Sequence, residues 1–395
     1  MQEIKNGIDR THLMCCESNR RAFWSVLSGF MLLSVSGYTQ TNRASLPSSA
    51  GKELKVPYAP MALNAELIGP AISEKDWFNW CVSPIQGKDG KIHIFSSRWP
   101  AAEGMEGWYG RNAEIAHFVA ERPEGPFTYV GKVMTTDMFP DPKTMSAPHN
   151  PRLEYVDGKY ILLYICQNPS RQGKMRVGMM IADRLEGPWR FAGDNGGIMV
   201  DPSDDPAHWT YNAAIGADNP AFLKIGKKYY IYYKCGTPNH MDAKYGYAVS
   251  ERLEGPYTLC DAPITDNVSY LEDAQAFAYR GKYYLLTTDN LGGNTGVYGD
   301  LILWESTDGL RFKLADAKIA MGNIFDYWKG NEQDRKRLFD NQKLFIRDYS
   351  GKLERPAVLF IKGKPAYLYA AADVNISGGS VAESYVFKIE WKTKK

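Results

Sequence analysis

Five chemically capable side chains stand at matched distances ahead of a recurring turn: Cys81, His149, Asp218, Asp273 and Glu354, with Glu272 one residue ahead of the fourth. The residues flanking them are mostly apolar or aromatic, so charge at these positions is not a general feature of the segments. Carboxyl groups brought from separate segments to one place can protonate a leaving group and deprotonate water. That pair of tasks suits cleavage of a bond whose leaving oxygen is poor until it gains a proton.

The elements that must carry these residues are legible as a repeat. One motif is AERPEGPFTY at 120–129, ADRLEGPWRF at 182–191 and SERLEGPYTL at 250–259, with a degenerate copy STDGLRF at 306–312. A second is a turn followed by an aromatic strand: DGKIHIF at 89–95, DGKYILLY at 157–164, GKKYYIYY at 226–233, GKYYLLTT at 281–288 and GKPAYLYA at 363–370. A short apolar segment precedes the turn in each later copy, which makes the second motif a β-hairpin, and the first motif supplies the later strands of the unit. Units of about four antiparallel strands at this period predict an all-β, five-bladed β-propeller over 76–395, with equivalent strand starts converging on one channel mouth. A two-sheet sandwich also uses many short strands, but has no reason to repeat both motifs in the same order. Residues 38–75 are expected to be a linker or ring-closing segment, Tyr385–Trp391 an outer strand of the last blade, and about 322–352 an insertion between blades four and five.

Composition narrows the classes further. The chain has 395 residues with 47 Lys+Arg against 45 Asp+Glu, a net charge of +2, which argues against a dedicated nucleic-acid binder. Its 25 Tyr, 16 Phe and 10 Trp, beside 36 Gly and 22 Pro, suit strands joined by turns. Arg20-Arg21 ahead of the apolar run Ala22–Val35 and the small pair Ser36-Gly37 is the layout of a signal peptide, 1–37, and predicts a secreted or periplasmic protein with no membrane span after processing. Cys81, Cys166, Cys235 and Cys260 remain and are too scattered for a disulfide framework. No CxxC or HExxH offers a metal site. The run Asp201–Asp205 fails as a calcium loop at Pro206 and Asn212.

With these motifs in place, the chain resembles the five-bladed β-propeller glycoside hydrolases, the group containing families 43, 62, 32, 68 and 117. Gly-Ala-Asp218-Asn-Pro-Ala-Phe resembles the blade-three segment of the family 43 type, and Glu272, nine residues before Gly281, resembles the blade-four acid. The resemblance implies Glu272 as general acid, Asp218 as the carboxylate that raises the proton affinity of Glu272, and an Asp base from blade one. Blade one departs from that pattern, reading Asn79-Trp80-Cys81-Val82-Ser83-Pro84. The base is therefore open between Asp76 and His149, the latter by a loose parallel with the catalytic His of family 117.

Sugar rings need aromatic faces, and their hydroxyls need planar polar groups. Trp80, Asn79, Arg98, Trp99, Asn150, Asp273 and Asp289 are the expected substrate contacts, while Phe127, Trp189 and Tyr257 are expected to pack the blades. The sequence reading is a monomeric glycoside hydrolase acting on plant or algal oligo- or polysaccharide, exo-acting and, as the resemblance implies, inverting. It requires no cofactor. A structural Ca²⁺ stays open without a ligand set, and the alternatives are a non-catalytic glycan-binding propeller and a glycoside phosphorylase of the same fold.

Overall fold

The computed structural model describes residues 56–236, 243–330, 351–372, 374 and 383–392. The expected leader 1–37 and residues 331–350 of the expected insertion lie outside them. Five antiparallel sheets form a ring, each with its first strand innermost. Blade one comprises Trp77–Gln86, Ile92–Pro100, Glu114–Ala120 and Thr128–Thr135. Blade two comprises Ser146–Val156, Lys159–Asn168 and Lys174–Ala182, with Arg190–Phe191 and Ile198–Val200 both pairing its third strand. Blade three runs through Asp218–Ile225, Lys228–Cys235, Lys244–Ser250 and Thr258–Leu259, and blade four through Leu271–Tyr279, Lys282–Asp289, Leu301–Ser306 and Lys318–Met321.

Blade five takes three strands from the C-terminal region, Glu354–Ile361, Lys364–Ala372 and Glu383–Lys388, and its fourth, Glu66–Pro70, from the beginning of the described chain. Pairing the two ends of the propeller in one sheet ties the ring shut with the backbone hydrogen bonds of an ordinary antiparallel ladder. The core lies between blades. Phe277, Leu286 and Leu303 of blade four meet Val358, Leu368 and Phe387 of blade five, and Leu163 and Val177 of blade two meet Phe222 and Ile231 of blade three. This is what alternation predicts, because successive residues of a strand serve the two neighbouring blades.

Every inner strand carries a bulge at the same place. Pairing slips between Trp80 and Ser83, His149 and Arg152, Asp218 and Ala221, Glu272 and Gln275, and Glu354 and Ala357. The residue after the first of each pair is left-handed: Cys81, Asn150, Asn219, Asp273 and Arg355 have φ of 57°, 52°, 49°, 70° and 53°. None is a glycine, and five unfavourable backbones at equivalent positions mark a shared structural requirement. These five residues line the narrow channel at the centre of the ring, together with Arg152.

The bulges correct the matching made from the turns. Equivalent residues are Trp80, His149, Asp218, Glu272 and Glu354, so blade one contributes Trp80 where Cys81 was expected, and blade four contributes Glu272 where Asp273 was expected. The turn glycine misleads because it is the second turn residue in blades two, four and five but the first in blade three, and the blade-one loop is longer. Among the described residues, no helix is long and apolar enough to cross a membrane.

Candidate active site

Asp218 begins the inner strand of blade three, and antiparallel register places Lys234, on the next strand, directly across from it. The Lys234 side chain is 3% exposed, and its Nζ lies 3.2 Å from Asp218 Oδ2 and 2.7 Å from Glu272 Oε1 of blade four. The same ammonium donates to Tyr270 Oη at 2.8 Å, and the Tyr270 hydroxyl donates to Glu272 Oε1 at 2.7 Å. Asn290 Nδ2 donates to Glu272 Oε2 at 2.7 Å, and Lys352 Nζ donates to Asn290 Oδ1 at 2.6 Å while pairing with Glu354. Two adjacent blades thus present buried carboxylates on one shared cation. Their facing oxygens cannot be further apart than the two contacts laid end to end.

The surroundings set the protonation of each group. Burial raises the Asp218 carboxyl, and the Glu272 charge raises it further against the pull of Lys234, to about 6. Burial acts on Glu272 in the same direction, but Lys234, Arg355 and Lys352 outweigh it and hold Glu272 well below the usual carboxylate range. This reverses the order the resemblance implies: Asp218 takes up a proton at higher pH than Glu272, which stays ionised. Asp218 Oδ1 is buried and has no hydrogen-bond partner among the described residues.

His149 occupies the equivalent position of blade two and is 1% exposed. Its Nδ1 lies 2.6 Å from the Ala147 carbonyl, which accepts only from an N–H, so the other nitrogen carries the lone pair. That Nε2 is buried without a partner. Burial lowers the imidazole to about 3, so it is neutral through the physiological range. Trp108 and Tyr109, from a short 3-10 turn between the second and third strands of blade one, meet the His149 ring edge-on at 4.7 and 6.0 Å. The Tyr109 hydroxyl is raised by burial and then by the charges of Asp218 and Glu272. The site therefore has an aromatic arc with a neutral imidazole and a charged arc built by blades three to five.

Several expected members lie elsewhere. Asp76 is exposed and precedes the inner strand of blade one, roughly 13 Å of extended chain from Trp80. Arg98 is paired with Glu114 and Glu74, and its guanidinium lies 4.0 Å from the Trp77 ring centroid and 4.2 Å from that of Tyr129. Asn79 donates to Glu74 in the same cluster, and Trp99 is buried against Phe78 with its Nε1 donating to the Gly104 carbonyl. These three hold blade one together. Asp289 accepts from the backbone and side chains of Asn294 and Thr295 and so shapes its own loop. Asn150 and Asp273 belong to the channel: Cys81 Sγ donates to Asn150 Oδ1 at 2.8 Å, while Asp273 is paired with Arg355 and accepts from Asn219 Nδ2 at 2.6 Å. Trp80 is buried in the cluster with Phe78, Trp99 and Ala371, with Trp108 against it.

In the sequence Lys234 is only a polar residue near the end of a second strand, and Tyr270, Trp108 and Tyr109 belong to neither repeated motif. For a calcium ion, the channel offers one carboxylate, already bound by Arg355, beside a second guanidinium at Arg152. That donor set does not match the six to eight oxygens calcium takes. Among the described residues, no three His, Cys, Asp or Glu side chains are placed to hold a metal ion, and Cys81, Cys166, Cys235 and Cys260 are free thiols.

Comparison with protein-family models and with curated sequences gives no match. Solved structures do match. A GH43_1 enzyme from Xanthomonas citri complexed with xylose is 14% identical, with a TM-score of 0.52 over 82% of this chain and 90% of that one. Zg3597, a family 117 glycoside hydrolase from the marine bacterium Zobellia galactanivorans, is 16% identical, with a TM-score of 0.55 over 86% and 90%. CoXyl43, a GH43 β-xylosidase/α-arabinofuranosidase from a compost metagenome solved with xylotriose, is 15% identical, with a TM-score of 0.52 over 85% and 95%. At these identities the likeness establishes the five-bladed propeller, the architecture that the repeat predicted.

Proposed function

We propose that this chain is a glycoside hydrolase, exported by its leader, that removes sugars from the ends of plant or algal oligosaccharides. The observation that carries the reading is the buried Asp218–Lys234–Glu272 arrangement at equivalent positions of neighbouring blades, with Asp218 Oδ1 and His149 Nε2 left unpartnered. Similarity of fold to glycosidases, two of them solved with xylose or xylotriose, supports the class of reaction.

Asp218, poised near 6, gives its proton to the glycosidic oxygen as the bond breaks. Glu272, held ionised, faces the positive charge that develops on the sugar ring, where a fixed anion stabilises an oxocarbenium-like transition state. His149 Nε2 accepts a hydrogen bond from a sugar hydroxyl, and Trp108 and Tyr109 supply the apolar wall. The channel below narrows to about 10 Å³, room for roughly one water, which favours entry of a chain end from one side over threading of an internal stretch. Asp218 and Glu272 share one ammonium and so are closer than the roughly 6.5–9.5 Å of an inverting acid–base pair. The inverting course therefore draws its support from the family resemblance and needs water to be activated from outside this pair.

The test is sugar release from a panel of plant and algal oligosaccharides by wild type, Asp218→Asn and Glu272→Gln. Release by the wild type, with each variant slowed about a hundredfold or more, is the expected result. Binding without release by the wild type favours a glycan-binding propeller, and release only in the presence of phosphate favours a phosphorylase.

A further inference from the structure

On the flank of blade one, away from the channel, lies a cavity of about 440 Å³. It opens at the seam where the closing strand Glu66–Pro70 hands the chain to blade one, and it is lined by Pro70–Glu74, Phe118, Arg122, Glu124–Phe127 and Tyr129. This volume falls in the range of small-ligand sites. Tyr129 is 41% exposed, yet its ring is held by the Arg98 guanidinium at 4.2 Å and edge-on by Phe118 at 5.5 Å. Arg122 Nε donates to the Gly125 carbonyl at 3.0 Å, which ties its side chain to the lining of the groove. Glu74 is held by Arg98 and Asn79, and Glu124 accepts from the Tyr367 hydroxyl.

Several properties together identify the ligand. The aromatic face is exposed but rigid, so little side-chain freedom is lost when a ring stacks on it. The planar donors and acceptors beside it are already oriented by their own partners. The charges in and behind the groove balance: Arg98, Arg122 and Lys132 stand against Glu74, Glu114 and Glu124, so the groove favours neither an anion nor a cation. We propose that this groove is a second carbohydrate-binding site, which takes a neutral stretch of polysaccharide on Tyr129 while the channel mouth works on a chain end. The class of ligand rests on the glycosidase reading, whereas the existence of the site rests on the groove itself.

Affinity electrophoresis through gels containing arabinoxylan, pectic arabinan or agarose tests this, run beside hydrolysis of short soluble oligosaccharides. Retardation of the wild type by at least one polymer is expected. Tyr129→Ala and Arg122→Ala should each weaken it at least fivefold, Tyr129→Phe should keep it, and hydrolysis of the short substrates should not change. If the hydrolytic protein is not retarded by any polymer, or Tyr129→Ala is retarded like wild type, the second site is overturned and the glycosidase reading stands. If no short substrate is cut but retardation depends on Tyr129, the second site stands and the glycosidase reading falls. Since Tyr129 also touches Arg98, the melting temperature of each variant is compared with wild type, and Arg122→Ala, which leaves that stack intact, decides if Tyr129→Ala unfolds.

Discussion

Lys234 Nζ lies 2.7 Å from Glu272 Oε1, with the Lys234 side chain 3% exposed and the Glu272 side chain 15% exposed. The ammonium reaches Asp218 as well, so one cation compensates two anions contributed by adjacent blades. Removing one member of such a buried set leaves uncompensated charge, which costs about 3–5 kcal/mol. Lys234→Met should therefore destabilise the protein by roughly that amount at pH 7 in urea unfolding. Glu272 is depressed in the folded state, so its contribution is present above the unfolded carboxylate range and is lost as pH falls. The deficit of Lys234→Met should accordingly shrink toward pH 4, where the stranded carboxylates take up protons. An equal deficit at both pH values would show that Lys234 acts by packing alone.

The pH dependence of turnover follows from Asp218. A donor raised to about 6 is protonated below that pH and loses its proton above it, so kcat should fall on the alkaline side of about 6. Asp218→Asn should lower kcat by a factor of about 10²–10⁴ and remove this limb. The same shift acts on stability with a definite sign: a carboxyl raised on folding makes the folded state bind protons more tightly, and stability declines as pH rises from about 4 to 6. Asp218→Asn should lose part of that decline. A turnover limb unchanged in the variant would move the proton donor elsewhere.

His149 is neutral and offers a lone pair at Nε2, so its contribution should appear in binding. His149→Ala is expected to raise KM about tenfold, equivalent to about 1.4 kcal/mol, with a smaller effect on kcat. Because burial holds the imidazole near 3, the shape of the pH profile between 5 and 8 should not move. A displaced limb in the variant would instead make His149 a group that gains and loses a proton during turnover.

The blade repeat was readable because each unit must rebuild the same hairpin and the same Gly-Pro-aromatic strand, and such constraints act locally. Asp218 came from counting back from the repeated turn and Glu272 from the family resemblance, and the strand register places the two at one position of the unit. Lys234 was not assigned a role because its meaning depends on strand register, which places it across from Asp218 and within reach of the next blade. Trp108 and Tyr109 come from a loop peculiar to blade one, which no repeat announces. Asp273 was matched to the wrong equivalent because counting from a turn glycine ignores which turn position the glycine fills, and Cys81 because the blade-one loop is longer. Arg98 and Trp99 misled for a different reason: in sequence they end a strand at the channel mouth, but the carboxylates of Glu74 and Glu114 and the Gly104 carbonyl draw them into blade one.

That last relationship gives a test separating support from recognition. Arg98 is buried between Trp77 and Tyr129 and paired with two carboxylates, and Lys132 is the other described cation on Glu114. Arg98→Ala deletes the charge and the flat surface on which both aromatic rings pack, leaving Glu114 buried with one cation. A loss of about 3–5 kcal/mol is expected, read by urea unfolding at pH 7. Glu114→Gln should cost less, because an amide needs no counter-charge, and Arg98→Ala combined with Glu114→Gln should recover part of the loss as the stranded charge disappears. At temperatures where the variants stay folded, KM for a short oligosaccharide should match wild type. A raised KM in a fully folded Arg98→Ala protein would return Arg98 to the substrate, since an arginine that only braces blade one has no route to the reacting sugar.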